Sequence, residues 1–385
     1  MLINAIHWNV DPVMLHIGTT ALRIIGAVCI LVTLCMVFLA IRNSGKDKKD
    51  KGKKELSDYL YMAIIPFVLA IICFLIDEID LRYYSLGFLV AFVLGYWIVS
   101  RMFKREGVRA DYLDSLVVYM FLATLVGARL GHCLFYEPDY FLTSEHWVEI
   151  IWPFRNGEFK GFEGLASHGA AVGILTAMWL YWRHYKMNIW WILDRMVIVI
   201  ALGGAFIRLG NLFNSEIYGH ATNLPWGFIF DRNHETVAKH PTQLYESLSY
   251  FAIFGACLWY YLRKKGNVRS GSIFGWWLVA LFGVRFLIEF VKNDQVDFEA
   301  GMALNMGQLL SLPFIAAGLV IAWLSREEKF PQGAFPKGEV KTIVAKWDEK
   351  AAEEKTKKEE REKRMQAYKK ERERNKQATK NEKNK

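Results

Sequence analysis

The stretch IRLGNLFNSEIYG, Ile207 to Gly219, closes a long apolar run, WWILDRMVIVIALGGAF, with a cluster of polar side chains. Arg208, Asn211, Asn214 and Glu216 are interleaved there with Gly210 and Gly219. A guanidinium binds phosphate through a planar fork of donors that an ammonium cannot copy. Carboxamides supply both donors and acceptors, and glycine lets a backbone approach a ligand closely. Such a cluster suits an oxyanion. Other groups able to do chemistry stand at the edges of further apolar runs: Tyr84, Arg129, His168, His240, and Arg285 with Glu289 one helical turn beyond it on the same face. Histidine titrates near neutral pH and is suited to moving a proton.

The elements that must hold these groups follow from hydropathy. The chain has 385 residues, 53% of them hydrophobic, with 14 Trp, 17 Tyr and 26 Phe. A bilayer core about 30 Å thick needs roughly 20 apolar residues per helical crossing. Nine stretches qualify, at about 20–42, 59–77, 82–101, 111–136, 165–182, 189–209, 243–262, 271–291 and 305–324. Basic segments alternate with acidic or mixed ones between them. RNSGKDKKDKGKK, RMFKREGVR, RHYK and RKKGNVR follow the first, third, fifth and seventh stretches, and a basic tail follows the ninth. Lys and Arg mark the cytoplasmic side of short loops. The expectation is therefore an all-α, polytopic membrane protein of about nine helices, N-terminus outside and C-terminus cytoplasmic. In that topology every polar group named above falls in the outer half of the membrane, where the abundant anion is a lipid phosphate. Charges at membrane depth are costly and usually functional. Each also has a structural reading. Arg285 and Glu289 could be an ion pair, Arg129 could snorkel to headgroups, Tyr84 could join an aromatic belt, and His168 could donate to a backbone carbonyl.

Other features set bounds. The net charge of +9 resides mostly in the loops and tail and fits anionic lipid surfaces rather than nucleic acid. The five cysteines are scattered through apolar runs without metal-ligand spacing. HETVAKH spaces its histidines six apart, whereas a zinc-protease helix needs four. The N-terminus has no basic start and does not read as a cleavable signal peptide. From about Trp347 the tail is densely charged with no apolar stripe, a solvated helix or disorder.

The polar cluster resembles the bacterial prolipoprotein diacylglyceryl transferases, whose signature is Gly-Arg-x-Gly-Asn-Phe-x-Asn-x-Glu-x-x-Gly. Arg208, Gly210, Asn211, Asn214, Glu216 and Gly219 match it; Ile207 replaces the first glycine and Leu212 the phenylalanine. SHG at 167–169, HPTQLYE at 240–246, FGVRFLIEF at 282–290, GARLGHCLFY at 127–136 and NMGQLLSLP at 305–313 match further family segments, although Ala170 replaces a second glycine. The resemblance covers about 82–325. It divides the chain into a periplasmic lead-in (1–19), an added two-span insertion (20–80), a transferase membrane core (81–325) and a charged cytoplasmic tail (326–385). The family's tyrosine at the start of its first span corresponds to Tyr84.

The resemblance implies a reaction: transfer of the diacylglyceryl group of phosphatidylglycerol to the lipobox cysteine of a prolipoprotein. A thioether forms and glycerol phosphate leaves, at the outer leaflet of the bacterial inner (cytoplasmic) membrane. His168 is the expected base for the thiol, with His240 as the alternative. Arg208 and Arg285 are expected to neutralise the phosphate, Glu289 to hold Arg285, and Tyr84, Asn211 and Asn214 to bond around the headgroup. Glu216, Gly219, Arg129 and His240 complete the expected binding set. No metal, nucleotide or other cofactor is called for, and the partners are phosphatidylglycerol, lipobox prolipoproteins and membrane lipid. A flippase would instead place its polar groups at mid-membrane, on helices related by a repeat. An intramembrane protease would need a Ser–His pairing, whereas Ser167 and His168 are adjacent and diverge on a helix.

Overall fold

The computed structural model describes residues 5–44, 51–141, 147–150, 154–155, 158–159, 166–293 and 302–335, with scattered positions between 349 and 368. The charged tail expected from about Trp347 lies mostly outside the described residues.

All nine apolar stretches fold as helices: α1 (Thr19–Ser44), α2 (Lys51–Leu75), α3 (Tyr83–Arg105), α4 (Ala110–Phe135), α6 (Ser167–Tyr185), α7 (Ile189–Phe213), α8 (Thr242–Arg263), α9 (Ser272–Ile288) and α10 (Met306–Arg326). The short α5 (Pro138–Phe141) follows α4. Six helices are long and apolar enough to cross a membrane among the described residues: α1, α3, α4, α7, α10, and α9 extended to Val291. α2 contributes a shorter apolar segment, Met62–Leu75. Pure helix was expected, but among the described residues six short strands also form, paired as three two-stranded sheets. They occupy connections, where backbone groups not bonded within a helix must find partners elsewhere.

The chain divides into two compact units, with boundaries inside α3, α7, α8, α9 and α10. The first holds Met1–Ile98, Val197–Leu262 and Trp277–Gly318. In it, strand β2 (Val13–Ile17) pairs antiparallel with β3 (Ile79–Arg82), so the chain enters and leaves the α1–α2 hairpin at one place. Arg23 ties the hairpin's open end, donating to the Cys73 carbonyl (2.7 Å) and pairing with Asp77 (2.8 Å). Strand β1 (Ile6–Trp8) runs parallel to β6 (Phe228–Phe230). The Trp8 indole donates to the Leu212 carbonyl at 3.0 Å, which serves one of the carbonyls a helix end leaves open. Leu212, Phe228 and Phe230 form a buried cluster that Trp8, Tyr218 and Leu244 pack against.

The second unit holds Val99–Met196, Arg263–Trp276 and Leu319–Lys385. The polar start of α7 anchors it. Arg195 grips Glu106 with Nε–Oε1 at 3.0 Å and Nη2–Oε2 at 2.6 Å, and the Trp191 indole donates to the same carboxylate at 2.8 Å. Asp194, fully buried, accepts the backbone N–H groups of Gly271 (2.7 Å) and Phe274 (2.9 Å) at the start of α9. Those donors have no partner within the helix, and a carboxylate complements the helix dipole there.

Helices α4 and α6 meet backbone to backbone. Gly127 and Gly131 on α4 face Gly169 and Gly173 on α6, the small-residue pattern by which apolar helices pack closely in a membrane. A Cβ on Gly131 would stand 2.6 Å from the Gly169 Cα, and one on Gly173 would strike the Ala123 carbonyl oxygen. Gly255 on α8 has nothing within 4 Å of such a Cβ. Gly173→Leu should therefore lose about 1–3 kcal/mol, read as a lower unfolding temperature in detergent, while Gly255→Leu should keep that of the parent. Equal melting of the two variants would disprove the close crossing.

Candidate active site

In the first unit the signature segment builds a connected network. Arg208, near the end of α7, forms an ion pair with Glu246, its Nε lying 2.7 Å from Oε2, and its Nη1 donates to Asn211 Oδ1 at 3.2 Å. Asn211 and Asn214 donate to Glu216 Oε1 at 2.7 and 3.2 Å. Glu216 is flanked by Ser215 and Ile217, both left-handed with φ of 55° and 60°. A β-branched residue pays heavily for that conformation, and such strain persists only where its surroundings enforce it. Here they do. Asn233 donates to the Ser215 carbonyl (2.7 Å), Gln243 to that of Glu216 (2.6 Å) and Thr242 to that of Ile217 (2.9 Å). The two residues opening α8 thus hold the turn that aims Glu216.

Gly210 gives way to Tyr84: a Cβ there would collide with the Tyr84 ring and lie 3.1 Å from its Cα. Tyr84 at the start of α3 is thus seated directly on the signature segment. Gly219 departs from expectation. It was expected to admit a ligand, but its open face is filled by the Val291 carbonyl oxygen. Its N–H donates to the His240 carbonyl at 2.9 Å, and the next N–H, of His220, donates to Val291 at 2.9 Å. The glycine is needed for backbone meeting backbone.

Arg285 on α9 lies 3.8 Å from Glu289 Oε1. Glu289 is itself buried, with Gly307 of α10 so close that a Cβ there would overlap its carboxylate. Two residues given no role in the sequence reading complete the arrangement. Lys292, 2% exposed, lies 3.4 Å from Glu289 Oε2 and 3.4 Å from Glu246 Oε1. Glu246, fully buried, is shared between Lys292 and Arg208. Glu246 stood in the HPTQLYE segment, and Lys292 follows Glu289 at the i,i+3 spacing of a helical ion pair. Both signals were present. That the two meet is a tertiary fact.

His240 lies in the connection before α8, with Nδ1 3.3 Å from the Tyr245 hydroxyl, which also accepts from the Trp226 indole at 2.9 Å. Burial, with a smaller contribution from His220, holds the His240 imidazole below its usual pKa, which favours its neutral form.

The second unit holds Arg129 and His168. Arg129 was expected in the substrate-binding set, with snorkelling to headgroups as its structural reading. Its guanidinium donates instead to the carbonyls of Glu149 (2.7 Å) and Ile150 (3.2 Å) and lies over the Phe141 ring at 4.8 Å. It organises the segment after α4. His168, the second residue of α6, is exposed and lines an apolar cavity of about 1060 Å³ with Leu130, Leu134, Tyr136 and Val172. The Ala166 N–H donates to the Ala128 carbonyl at 2.9 Å, fixing the start of α6 against α4.

Gly219→Ala distinguishes backbone packing from ligand contact. The added methyl meets Val291 whether or not a substrate is bound, so stability should fall by about 1–3 kcal/mol in ligand-free protein, measured as the detergent unfolding temperature. An unaltered melt with a selective loss of substrate affinity would restore the ligand role.

Comparison with known proteins identifies the family. Residues 71–324 match the family described as prolipoprotein diacylglyceryl transferase. A phosphatidylglycerol–prolipoprotein diacylglyceryl transferase of Tolumonas auensis is 43% identical over 255 residues, covering 66% of this chain and 95% of that protein. Namesakes from Bacteroides fragilis (40% over 256 residues, 65% and 91%) and Porphyromonas gingivalis (43% over 255 residues, 63% and 85%) are similar to it as well. The match spans the whole arginine–carboxylate network and stops short of the first helix and the tail: the chain belongs to the prolipoprotein diacylglyceryl transferase family.

Proposed function

We propose that this protein transfers the diacylglyceryl group of phosphatidylglycerol to the lipobox cysteine of a prolipoprotein, acting at the outer leaflet of the bacterial inner membrane. The observation that carries this reading is the pair of arginines, Arg208 and Arg285, each backed by a buried carboxylate within the family-matched region. In the reaction the cysteine sulfur attacks the glycerol carbon that bears the phosphate. A C–S bond forms, the C–O bond breaks, and the phosphodiester monoanion leaves as glycerol phosphate with a second negative charge. Charge thus grows on the phosphate as the bond breaks, and preorganised donors aimed at growing charge are the strongest aid a site can give. Arg208 and Arg285 take that role. Tyr84, Asn211 and Asn214 bond around the headgroup, with Glu216 orienting the two amides. The thiolate is the nucleophile, and His168 accepts the thiol proton, with His240 the other available base. Arg129 acts by shaping the segment after α4.

The membrane arrangement belongs to the same proposal: nine crossings, N-terminus outside and C-terminus cytoplasmic, supported by the six long apolar helices and the alternating loop charge. Residues 20–80 are an addition to the transferase core 81–325. Two observations support this: the β2–β3 pairing brings both ends of the addition together, and the family match begins only at residue 71. Purified protein incubated with phosphatidylglycerol and a lipobox peptide should yield a peptide heavier by one diacylglyceryl group on cysteine. A cleaved peptide, or moved lipid without a thioether, would replace this reading by a protease or a flippase.

Two variants probe the roles. Arg208→Lys keeps the charge but loses the fork, so turnover should fall by about 10²–10³ at every pH. Near-normal turnover in a folded variant would remove the clamp. His168→Ala should lose about 10²–10⁴ in rate near pH 7 and regain part of it as pH rises toward about 8.5, where a free thiol ionises unaided. A uniform deficit across pH would make His168 structural.

A further inference from the structure

Arg208, Glu246, Lys292, Glu289 and Arg285 form one unbroken file of alternating charge in the first unit, with successive closest approaches of 2.7, 3.4, 3.4 and 3.8 Å. The two arginines at its ends are the more exposed members, with side chains 16% and 32% accessible, while the three inner members are 6% or less. With all five ionised, three cations face two anions and the file itself carries a residual +1; Glu216, reached from Arg208 through Asn211, is a separate carboxylate whose charge is the same in every variant compared below. Without Lys292 the two carboxylates would cancel both arginines, and the file would carry no charge to offer. A buried charge beside an opposite one is strongly stabilised, and deleting one member of such a set leaves its partner uncompensated.

We propose that Lys292 and Glu246 are positioning residues that set the electrostatic capacity of the phosphate site, so that Arg208 and Arg285 together present one uncommitted positive charge to one phosphodiester monoanion. Lys292 does this by occupying the inner oxygens of both carboxylates, which leaves each carboxylate one oxygen with which to orient its arginine. The arginines thereby act as one unit, and a charge change at the centre of the file is felt at both ends. A zwitterionic headgroup carries the same phosphodiester, but its ammonium opposes the residual charge, so the arrangement favours net-anionic lipid. This inference rests on the phosphate role given to the two arginines under the proposed function.

The test uses the full-length protein in nanodiscs, measuring affinity for phosphatidylglycerol with phosphatidylcholine as the neutral comparison. Lys292→Met should weaken phosphatidylglycerol binding about tenfold, equivalent to 1.4 kcal/mol, and weaken binding of phosphatidylcholine, whose ammonium offsets its phosphodiester, by less. Lys292→Arg should restore it. The double variant Lys292→Met/Glu289→Gln returns the residual charge to +1 and should bind better than Lys292→Met alone, whereas a purely structural lysine predicts a double variant no better than the single. Unchanged affinity in folded Lys292→Met, or a double variant no better than the single, overturns the proposal. If Lys292→Met does not fold, Glu289→Gln decides: its residual +2 should tighten phosphatidylglycerol binding, and weaker binding refutes the charge account. Thioether formation by the parent protein is measured separately. Its absence would remove the transfer reading while the affinities still judge Lys292.

Discussion

Glu246 accepts two cations while having no exposed surface, and the rest of the site is arranged around it. A carboxylate cannot stay ionised in a low-dielectric interior unless its oxygens are matched by nearby positive charge. Glu246 meets that condition by standing between Arg208 and Lys292. Lys292, equally buried, meets its own by standing between Glu246 and Glu289. Each group is tolerated because its neighbours are present. The elements that bring them together, the ends of α7 and α9 and the start of α8, are consequently held to one arrangement.

Backbone geometry supports that arrangement in two ways. Glycines remove side chains where a backbone must meet another backbone, a ring or a carboxylate: Gly219 against Val291, Gly210 against Tyr84, Gly307 against Glu289. Left-handed residues turn the chain between α7 and the following connection, and the side chains of Thr242, Gln243 and Asn233 satisfy the carbonyls that the turn exposes. In a chain expected to lie largely in lipid, such pairing is compulsory, because no water is at hand to serve an orphaned backbone group. The Trp8 contact to Leu212 follows the same logic at the end of α7. It also explains why a leucine is accepted where the family signature has phenylalanine: Leu212 is buried in an aromatic cluster and takes no part in the charge network.

The two units divide the labour differently. Polar order in the first links two arginines through buried carboxylates and a lysine. In the second it ties helix ends: Glu106 to Arg195, Asp194 to the start of α9, Arg129 to carbonyls after α4. The same residue types thus do unlike work, decided by what surrounds them.

Much was legible in the residues. Apolar length and loop charge gave the helices, because the cost of burying polar backbone and the width of a bilayer act on local sequence. The spacing of Arg208, Asn211, Asn214 and Glu216 announced a polar cluster, because neighbours along a helix end and the turn after it are neighbours in space. The short strands were not legible. They pair residues such as Ile6 with Phe228 and Val13 with Arg82, far apart along the chain, and too few residues are involved to leave a period. The sequence by itself determined which residues could bear charge, bend or pack closely. Only the tertiary structure decided that Gly219 faces backbone, that Arg129 is taken up by carbonyls, and that Glu246 and Lys292 join the two arginines. The physical reason is that helix periodicity specifies which face a side chain occupies but not what lies opposite, and a charge acquires its role from the charge a few ångströms away on another helix.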